Sequence, residues 1–168
     1  MKKYISKAIN GDKDAFTLIF LNLQSKLYSI AFNRLKNEAD ALDAIQETII
    51  ATYKNLSKLE KIDSFESWVI SILINECNKI YNKNKKIIYS DIEEFKNIKE
   101  LYPQNINDDL FFKDLIKHLN EKEQIIMILY YKNDYSIEKI SSILKIKMNT
   151  IKSILKRSKS KIKKYIKE

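Results

Sequence analysis

The chain has 168 residues, of which 45% are apolar and 32% are charged, and it carries a formal net charge of +9. With a single cysteine and a single histidine it has neither an internal disulfide nor a Cys/His metal site. One glycine and one proline disfavour β hairpins and glycine-rich phosphate loops, so we predict an all-α protein without a cofactor.

The charge is unevenly distributed along the chain. Residues 1–86 carry net +4, residues 87–112 net −4 and residues 113–168 net +9. We therefore predict two small helical domains, residues 1–86 and 110–168, joined by an acidic linker at residues 87–109 that contains Pro103. No signal peptide and no apolar run long enough for a bilayer are recognised, which predicts a cytoplasmic protein without membrane insertion.

The first domain is predicted to begin with a short helix, Lys2 to Ile9, that ends at Asn10-Gly11. Asp12 then caps a long helix that ends near Leu35. The next predicted helix runs from Glu38 to Leu56. Its inward stripe is predicted to consist of Leu42, Ile45, Ile49, Tyr53 and Leu56.

The other face of this third helix is acidic and includes an isoleucine. The residues on it are Asp43, Gln46, Glu47 and Ile50. An apolar side chain on an acidic outer face indicates a docking surface, although single exposed apolar residues are also common.

A polar segment, Lys58 to Ser67, precedes a predicted helix from Trp68 to about Lys86. Phe65 and Trp68 are assigned to the core. A polar stripe recurs at four, three and four residues: Ser71, Asn75, Asn78 and Asn82. Asparagine amides can read base edges, but asparagine is also simply frequent in this composition.

In the second domain, Asn120 is predicted to cap a helix, and a helix-turn-helix follows from Tyr135 to Tyr165. Ser136 caps its first helix, and either Asn149 or Thr150 caps its second. The predicted buried stripe of the second helix is Ile151, Leu155, Ser158, Ile162 and Ile166. His118 is predicted to have a surface or boundary role, and no catalytic constellation is recognised, so we do not expect an enzyme.

The opposite face of the second helix mixes cations with small polar groups. Its members are Asn149, Thr150, Lys152, Ser153, Lys156, Arg157, Ser160 and Lys163. Such a face suits a helix in the DNA major groove, the alternative being a solvated basic face.

These blocks resemble a known pair of domains. The segments AINGDKDAF, DALDAIQETIIATYKNL and FESWVISILINECNKI resemble region 2 of extracytoplasmic-function sigma factors, which belong to the sigma-70 family. The segment LNEKEQIIMILYYKNDYSIEKISSILKIKMNTIKSILKRSKSKI resembles their region 4. The resemblance covers nearly the whole chain, in the family's order.

The resemblance implies a protein that binds core RNA polymerase, on its flap and on the clamp coiled coil of its largest subunit, and directs it to promoter DNA. The clamp contact is transferred to Asp43, Gln46, Glu47 and Ile50. Recognition and melting of the minus 10 element is transferred to Lys61, Asp63, Ser64, Phe65, Ser71, Asn75, Asn78, Lys79 and Asn82. The minus 35 element is assigned to Asn149, Thr150, Lys152, Ser153, Lys156, Arg157 and Ser160. An anti-sigma factor is implied as a further partner.

The chain departs from the family at the turn of the second domain. Lys145 and Asn149 stand where glycine is usual, so we expect a differently built turn. Ile154 stands where the family often has arginine, so the minus 35 sequence that relatives recognise cannot be assigned to this chain. The alternative function is a stand-alone helix-turn-helix regulator, which would have no use for the polymerase-facing residues of the first domain.

Overall fold

In this computed structural model the described residues, 1–90, 112 and 114–167, form helices and turns and contain no strand. The N-terminal bundle consists of α1 (Lys2–Ile9), α2 (Lys13–Leu35), α3 (Glu38–Asn55) and α4 (Phe65–Ser90), with short 3-10 turns at Leu56–Lys58 and Ile62–Ser64 between α3 and α4. The C-terminal domain consists of α5 (Glu121–Met127), a π-helical turn at Ile128–Lys132, α6 (Ile137–Leu144) and α7 (Met148–Lys167). The predicted all-α fold class is confirmed.

Local capping signals set most helix starts as predicted. The Asp12 carboxylate accepts a hydrogen bond from the Ala15 amide at 2.9 Å, and Gly11 before it has a φ of 93°. Asn120 and Glu123 form a reciprocal capping box at the start of α5. The Ser136 hydroxyl accepts from the Lys139 amide at the start of α6.

The predicted inward stripe of α3 is partly right: Leu56 is buried and Ile45 and Ile49 pack half-buried against the core, but Leu42 and Tyr53 do not belong to it. The side chains buried on α3 are small: Ala41, Ala44, Thr48 and Thr52. Leu42 and Tyr53 are 47% and 52% exposed. Small side chains let α3 approach α2 and α4 closely and form the centre of the packed face, whereas Leu42, Ile50 and Tyr53 point outward.

Helix α4 is longer at both ends than predicted. It begins at Phe65 and continues to Ser90, past the predicted linker start at residue 87. Phe65 is 1% exposed and lies in the core, so its assignment as a DNA contact is wrong. The rest of the predicted linker, residues 91–109, lies outside the described residues.

The turn between α6 and α7 differs from expectation in two ways. Helix α7 begins at Met148, so Asn149 and Thr150 lie in its first turn and neither caps it. Lys145 itself adopts the left-handed conformation, with φ 53° and ψ 43°, so the turn keeps the glycine-type geometry without glycine. The Ser141 hydroxyl donates to the Ile146 carbonyl at 2.6 Å and closes this turn.

The apolar stripe of α7 also needs correction at two positions. Ile154 is buried beside Ile151 and Leu155, whereas the predicted stripe residue Ile166 is exposed. Burial of Ile154 removes it from the surface on which the corresponding arginine was expected, so it is a core residue of the C-terminal domain.

Helix α2 has the length and composition of a membrane span, which the sequence analysis overlooked. It has 23 residues, and an 18-residue window in it has a mean hydropathy of 1.2 with 44% of that window buried. Buried core helices meet the same criterion, and one face of α2, from Ala15 to Ala31, contributes to the core of the bundle, while Leu18 and Leu21 on its other side are exposed.

The corrected orientation of α3 makes a prediction about stability. Ala44→Leu should lower the free energy of unfolding by about 1–3 kcal/mol, because Ala44 has no exposed surface and the larger side chain overpacks the contact. Leu42→Ala should change it by less than about 0.5 kcal/mol. Chemical denaturation measures both, and the reverse order would restore the stripe predicted from sequence.

Candidate functional site

The exposed face of α7 carries the residues predicted to contact duplex DNA. All of these side chains are exposed: Asn149, Thr150, Lys152, Ser153, Lys156, Arg157 and Ser160. The Ser153 hydroxyl donates to the Asn149 carbonyl at 2.9 Å, and the Ser160 hydroxyl to the Lys156 carbonyl at 3.1 Å. Both hydroxyl oxygens therefore keep lone pairs that can accept a hydrogen bond from a partner.

A buried glutamate ties α7 to α5. Glu123, which completes the capping box of α5, accepts two hydrogen bonds from the Lys161 ammonium at 2.8 and 2.9 Å. Burial raises the pKa of Glu123, but the hydrogen bonds from Lys161 and from the Asn120 backbone outweigh it, so the pKa lies below its ordinary value. The charged carboxylate thus helps to fix the orientation of the basic helix.

The predicted polar stripe on α4 is only partly open to solvent. Asn75, Lys79 and Asn82 are exposed, and Lys79 pairs with Glu76 at 2.8 Å. Ser71 is half-buried, and its hydroxyl donates to the Trp68 carbonyl at 2.7 Å. Asn78 is half-buried beside α2.

The residues predicted between α3 and α4 lie at the surface. Lys61 and Asp63 are exposed, and Asp63 pairs with Lys2 of α1 at 2.6 Å. The Ser64 hydroxyl donates to the Lys61 carbonyl at 2.7 Å, which stabilises the short turn before α4. This segment is thus held against α1.

An open groove of about 610 Å³ lies between α3 and α4 and was missed by the sequence analysis. Asn55, Lys58 and Trp68 line it together with Asn75 and Lys79 of the polar stripe. The groove combines an aromatic face, two amides and two cations with the carboxylate of Glu76, which pairs with Lys79. The half-buried indole of Trp68 had been assigned to the core, and sequence alone could not indicate that part of it remains open.

Arg34 is a buried cation that the sequence analysis also missed. Its side chain is 2% exposed, and its Nε and Nη2 both donate to the Asn78 side-chain oxygen at 3.2 Å. The guanidinium carbon lies 3.9 Å from the centroid of the Tyr81 ring. The available signal was its spacing: Arg34 follows Ile30 by four residues on the buried face of α2.

Glu66 joins the N-terminal bundle to the C-terminal domain. Its carboxylate accepts hydrogen bonds from Lys26 and from the Tyr135 hydroxyl, both at 2.9 Å, and pairs with Lys139 at 3.5 Å. Burial raises the pKa of Glu66, but the hydrogen bonds from Lys26 and Tyr135 and the charge of Lys139 outweigh burial and lower it. Burial and the Glu66 charge raise the pKa of the Tyr135 hydroxyl.

A second contact between the two parts lies beside the polar stripe. Glu121 at the start of α5 pairs with Arg34 at 3.3 Å and approaches Lys85 at 3.9 Å. A cleft of about 430 Å³ results, with Ser71, Asn75 and Asn78 on one side. Residues of α5 and of the α6–α7 turn form the other side, so this part of the stripe faces the C-terminal domain.

The outer face of α3 is broader and more apolar than predicted. Asp43, Gln46 and Glu47 are exposed, and Ile50 among them is 45% exposed. Leu42 and Tyr53, placed in the core by the sequence analysis, extend the apolar part of this face. Apolar side chains rimmed by acids are typical of a protein docking surface.

The cysteine and the histidine of the chain each pack against neighbouring side chains. Cys77 on α4 has no exposed surface, and burial raises the pKa of its thiol to about 12. The His118 ring packs against the Tyr165 ring at 3.9 Å. The described part of the chain contains no cluster of three or more histidine, cysteine or acidic side chains that could hold a metal.

Comparisons with known proteins match both halves of the chain. The family model of sigma-70 region 2 matches residues 19–87, and that of sigma-70 region 4 matches residues 112–162. The chain is 25% identical to the ECF RNA polymerase sigma factor SigW of Bacillus subtilis, over 100% of the chain and 97% of the relative. It is 30% identical to the RNA polymerase sigma factor SigV of the same organism, over 78% of each chain.

A solved structure has the same fold. The sigma factor RpoE of Bartonella quintana, crystallised with the anti-sigma factor NepR, superposes with a TM-score of 0.73 at 21% identity. The match covers 90% of this chain and 96% of that one.

The position of Glu66 predicts a pH-dependent stability. Because the folded pKa lies below the ordinary 4.5, the charged carboxylate stabilises the fold above that pH, and this contribution is lost as pH falls through the folded pKa. Glu66→Gln should cost about 1–2 kcal/mol at neutral pH and much less in acid. Denaturation of both proteins across pH measures this, with the exposed Glu138→Gln as control; a constant difference would refute the role.

Proposed function

The chain belongs to the extracytoplasmic-function group of the sigma-70 family of RNA polymerase sigma factors, and on this basis we propose which of its surfaces performs each step of promoter-directed initiation. The match of the N-terminal bundle to sigma-70 region 2 favours a sigma factor over a stand-alone helix-turn-helix regulator. The observation that carries the assignment is that α3, α4 and α7 each present a chemically distinct exposed face.

The outer face of α3 docks on core RNA polymerase. Asp43, Gln46 and Glu47 supply charge and hydrogen bonds to the clamp coiled coil of the largest subunit, as the family resemblance implies. Leu42, Ile50 and Tyr53 supply apolar contact area, which gives this face the mixed character of a protein interface. Buried aromatic and aliphatic anchors usually carry most of the binding energy in such interfaces.

The flap of the polymerase contacts the C-terminal domain at an apolar groove. Phe112, Leu115, Met127, Ile162 and Ile166 line this groove of about 380 Å³. Lys159 and Lys163 stand among the same lining residues, so an amphipathic segment with an acidic edge would complement it.

The groove between α3 and α4 receives the separated strand of the minus 10 element. Stacking on the Trp68 indole offsets part of the cost of unstacking a base, and the Asn75 and Asn55 amides can bond to its edge. Lys58 binds an adjacent phosphate, and Lys79 does so on leaving its ion pair with Glu76. The separated base thus lies between α3 and α4 rather than on the turn at Ile62–Ser64.

Helix α7 lies in the major groove of the minus 35 element. Lys152, Lys156 and Arg157 neutralise phosphates, and the polar side chains Asn149 and Ser153 reach base edges. The protein works as a non-enzymatic subunit on cytoplasmic polymerase. An anti-sigma factor is its regulator, a partnership supported by the complex of the related RpoE with NepR.

Polymerase docking is tested by substitution on α3. Ile50→Asp should weaken core binding at least about tenfold, because it removes an apolar anchor and adds a like charge to an acidic face. Pull-down of purified core polymerase measures binding, with Leu21→Asp on the exposed side of α2 as the matched control. Equal retention of both variants would remove α3 from the interface.

The two DNA contacts should be separable by experiment. Lys156→Ala should weaken binding to duplex DNA and make the slope of log K against log salt shallower by about one unit, as expected for the loss of one phosphate contact. Strand opening by the bound complex should stay intact. Asn75→Ala should reduce permanganate reactivity of the minus 10 region, which reports strand opening, without changing the salt dependence of duplex binding. Loss of both activities in each variant would contradict the division between α4 and α7.

A further inference from the structure

Two cations of the N-terminal bundle hold a carboxylate of the C-terminal domain. The Arg34 Nη2 lies 3.3 Å from one oxygen of Glu121, and the Lys85 ammonium lies 3.9 Å from the other. Arg34 comes from α2 and Lys85 from the last turns of α4. Neither residue was among those assigned to DNA from the sequence, and together they bracket one anion.

Arg34 is built as the inner part of an anion site. Its guanidinium is almost wholly buried, and its Nη1 has no hydrogen-bond partner within the described residues. A buried cation is costly unless it is paired, and the ion pair of Arg34 in the described chain is made with Glu121. The Asn78 amide oxygen, which accepts from Arg34, carries no charge to compensate it.

The same contact fixes how Asn78 can read a base. A guanidinium has donors only, so the amide oxygen of Asn78 must face Arg34. Its amide nitrogen is left as the group available to a ligand, and this nitrogen can only donate. Asn78 should therefore select acceptors, such as a purine N7 or a carbonyl oxygen of a base.

We propose that Arg34 and Lys85 form a phosphate site for promoter DNA and that Glu121 occupies this site while the two parts of the protein are closed on each other. The inference rests on the proposed function, in which α4 binds the minus 10 strand. The cleft side of Ser71, Asn75 and Asn78 is covered by the C-terminal domain, so DNA reaches it only after the parts separate. Separation withdraws Glu121, and a backbone phosphate takes its place on Arg34.

Removing the charge of Glu121 tests, in the full-length chain, whether this carboxylate competes with a DNA phosphate for Arg34 and Lys85. Binding of a fluorescein-labelled, A/T-rich single-stranded oligonucleotide is followed by fluorescence anisotropy over a salt series. Glu121→Gln should bind about three- to fivefold more tightly than Glu138→Gln, which removes the same charge from the exposed side of α6. Lys85→Gln should bind more weakly and lower the salt slope by about 0.7.

The two substitutions should also be coupled. In the Lys85→Gln background the gain from Glu121→Gln should shrink, because one of the two cations that Glu121 blocks is already absent. Lys83→Gln, an exposed neighbour on α4, is the control and should leave that gain unchanged. Circular dichroism confirms that every variant is folded.

The outcomes separate this inference from the function on which it rests. Equal affinities of Glu121→Gln and Glu138→Gln would overturn the phosphate site, even if Asn75→Ala weakens binding as the proposed function requires. If Asn75→Ala binds like the parent while Glu121→Gln still gains, the anion site stands and the assignment of the polar stripe fails.

Discussion

The close approach of α3 to α2 and α4 determines where the functional surfaces of the N-terminal bundle lie. Ala41, Ala44, Thr48 and Thr52 have no exposed surface, and their small side chains let the helices pack tightly. The Thr48 hydroxyl is satisfied within its own helix by the Ala44 carbonyl at 2.7 Å. Because the centre of this face is filled by small residues, Leu42, Ile50 and Tyr53 of α3 remain exposed and available to a partner.

The contact between the two parts of the protein combines apolar burial with a few partly exposed ion pairs. Buried residues of both parts form one continuous cluster, which includes Tyr135 and Ile140 of the C-terminal side. An exposed ion pair such as Lys85–Glu121 is worth only about 0–1 kcal/mol and weakens with salt, so this contact is stabilised mainly by apolar burial and by the hydrogen bonds to Glu66.

The sequence predicted features that depend on neighbouring residues. Asp12, Asn120 and Ser136 were recognised as caps because a cap needs only its own first turn. The exposed face of α7 followed from helical spacing, with Ile154 and Ile166 as errors at its edges. On α3 the pattern of large apolar residues placed the centre of the buried face about one residue away from where it lies, since side-chain size does not indicate how closely two backbones approach.

Features that depend on distant residues could not be predicted in this way. Arg34 meets Asn78 across 44 positions and Glu121 across 87, so neither partner is visible in a local window. Glu66 likewise meets Tyr135 across 69 positions. The turn at Lys145 was misjudged because the strain of a left-handed lysine is offset by hydrogen bonds from surrounding residues.

Burial of Cys77 limits the redox chemistry open to the folded chain. It is the one thiol of the chain, and oxidation by peroxides or exchange with disulfides proceeds through the thiolate. With a pKa of about 12 and no exposed surface, the folded protein keeps that sulfur protonated and out of reach. Direct oxidation of this thiol therefore requires α4 to open locally first.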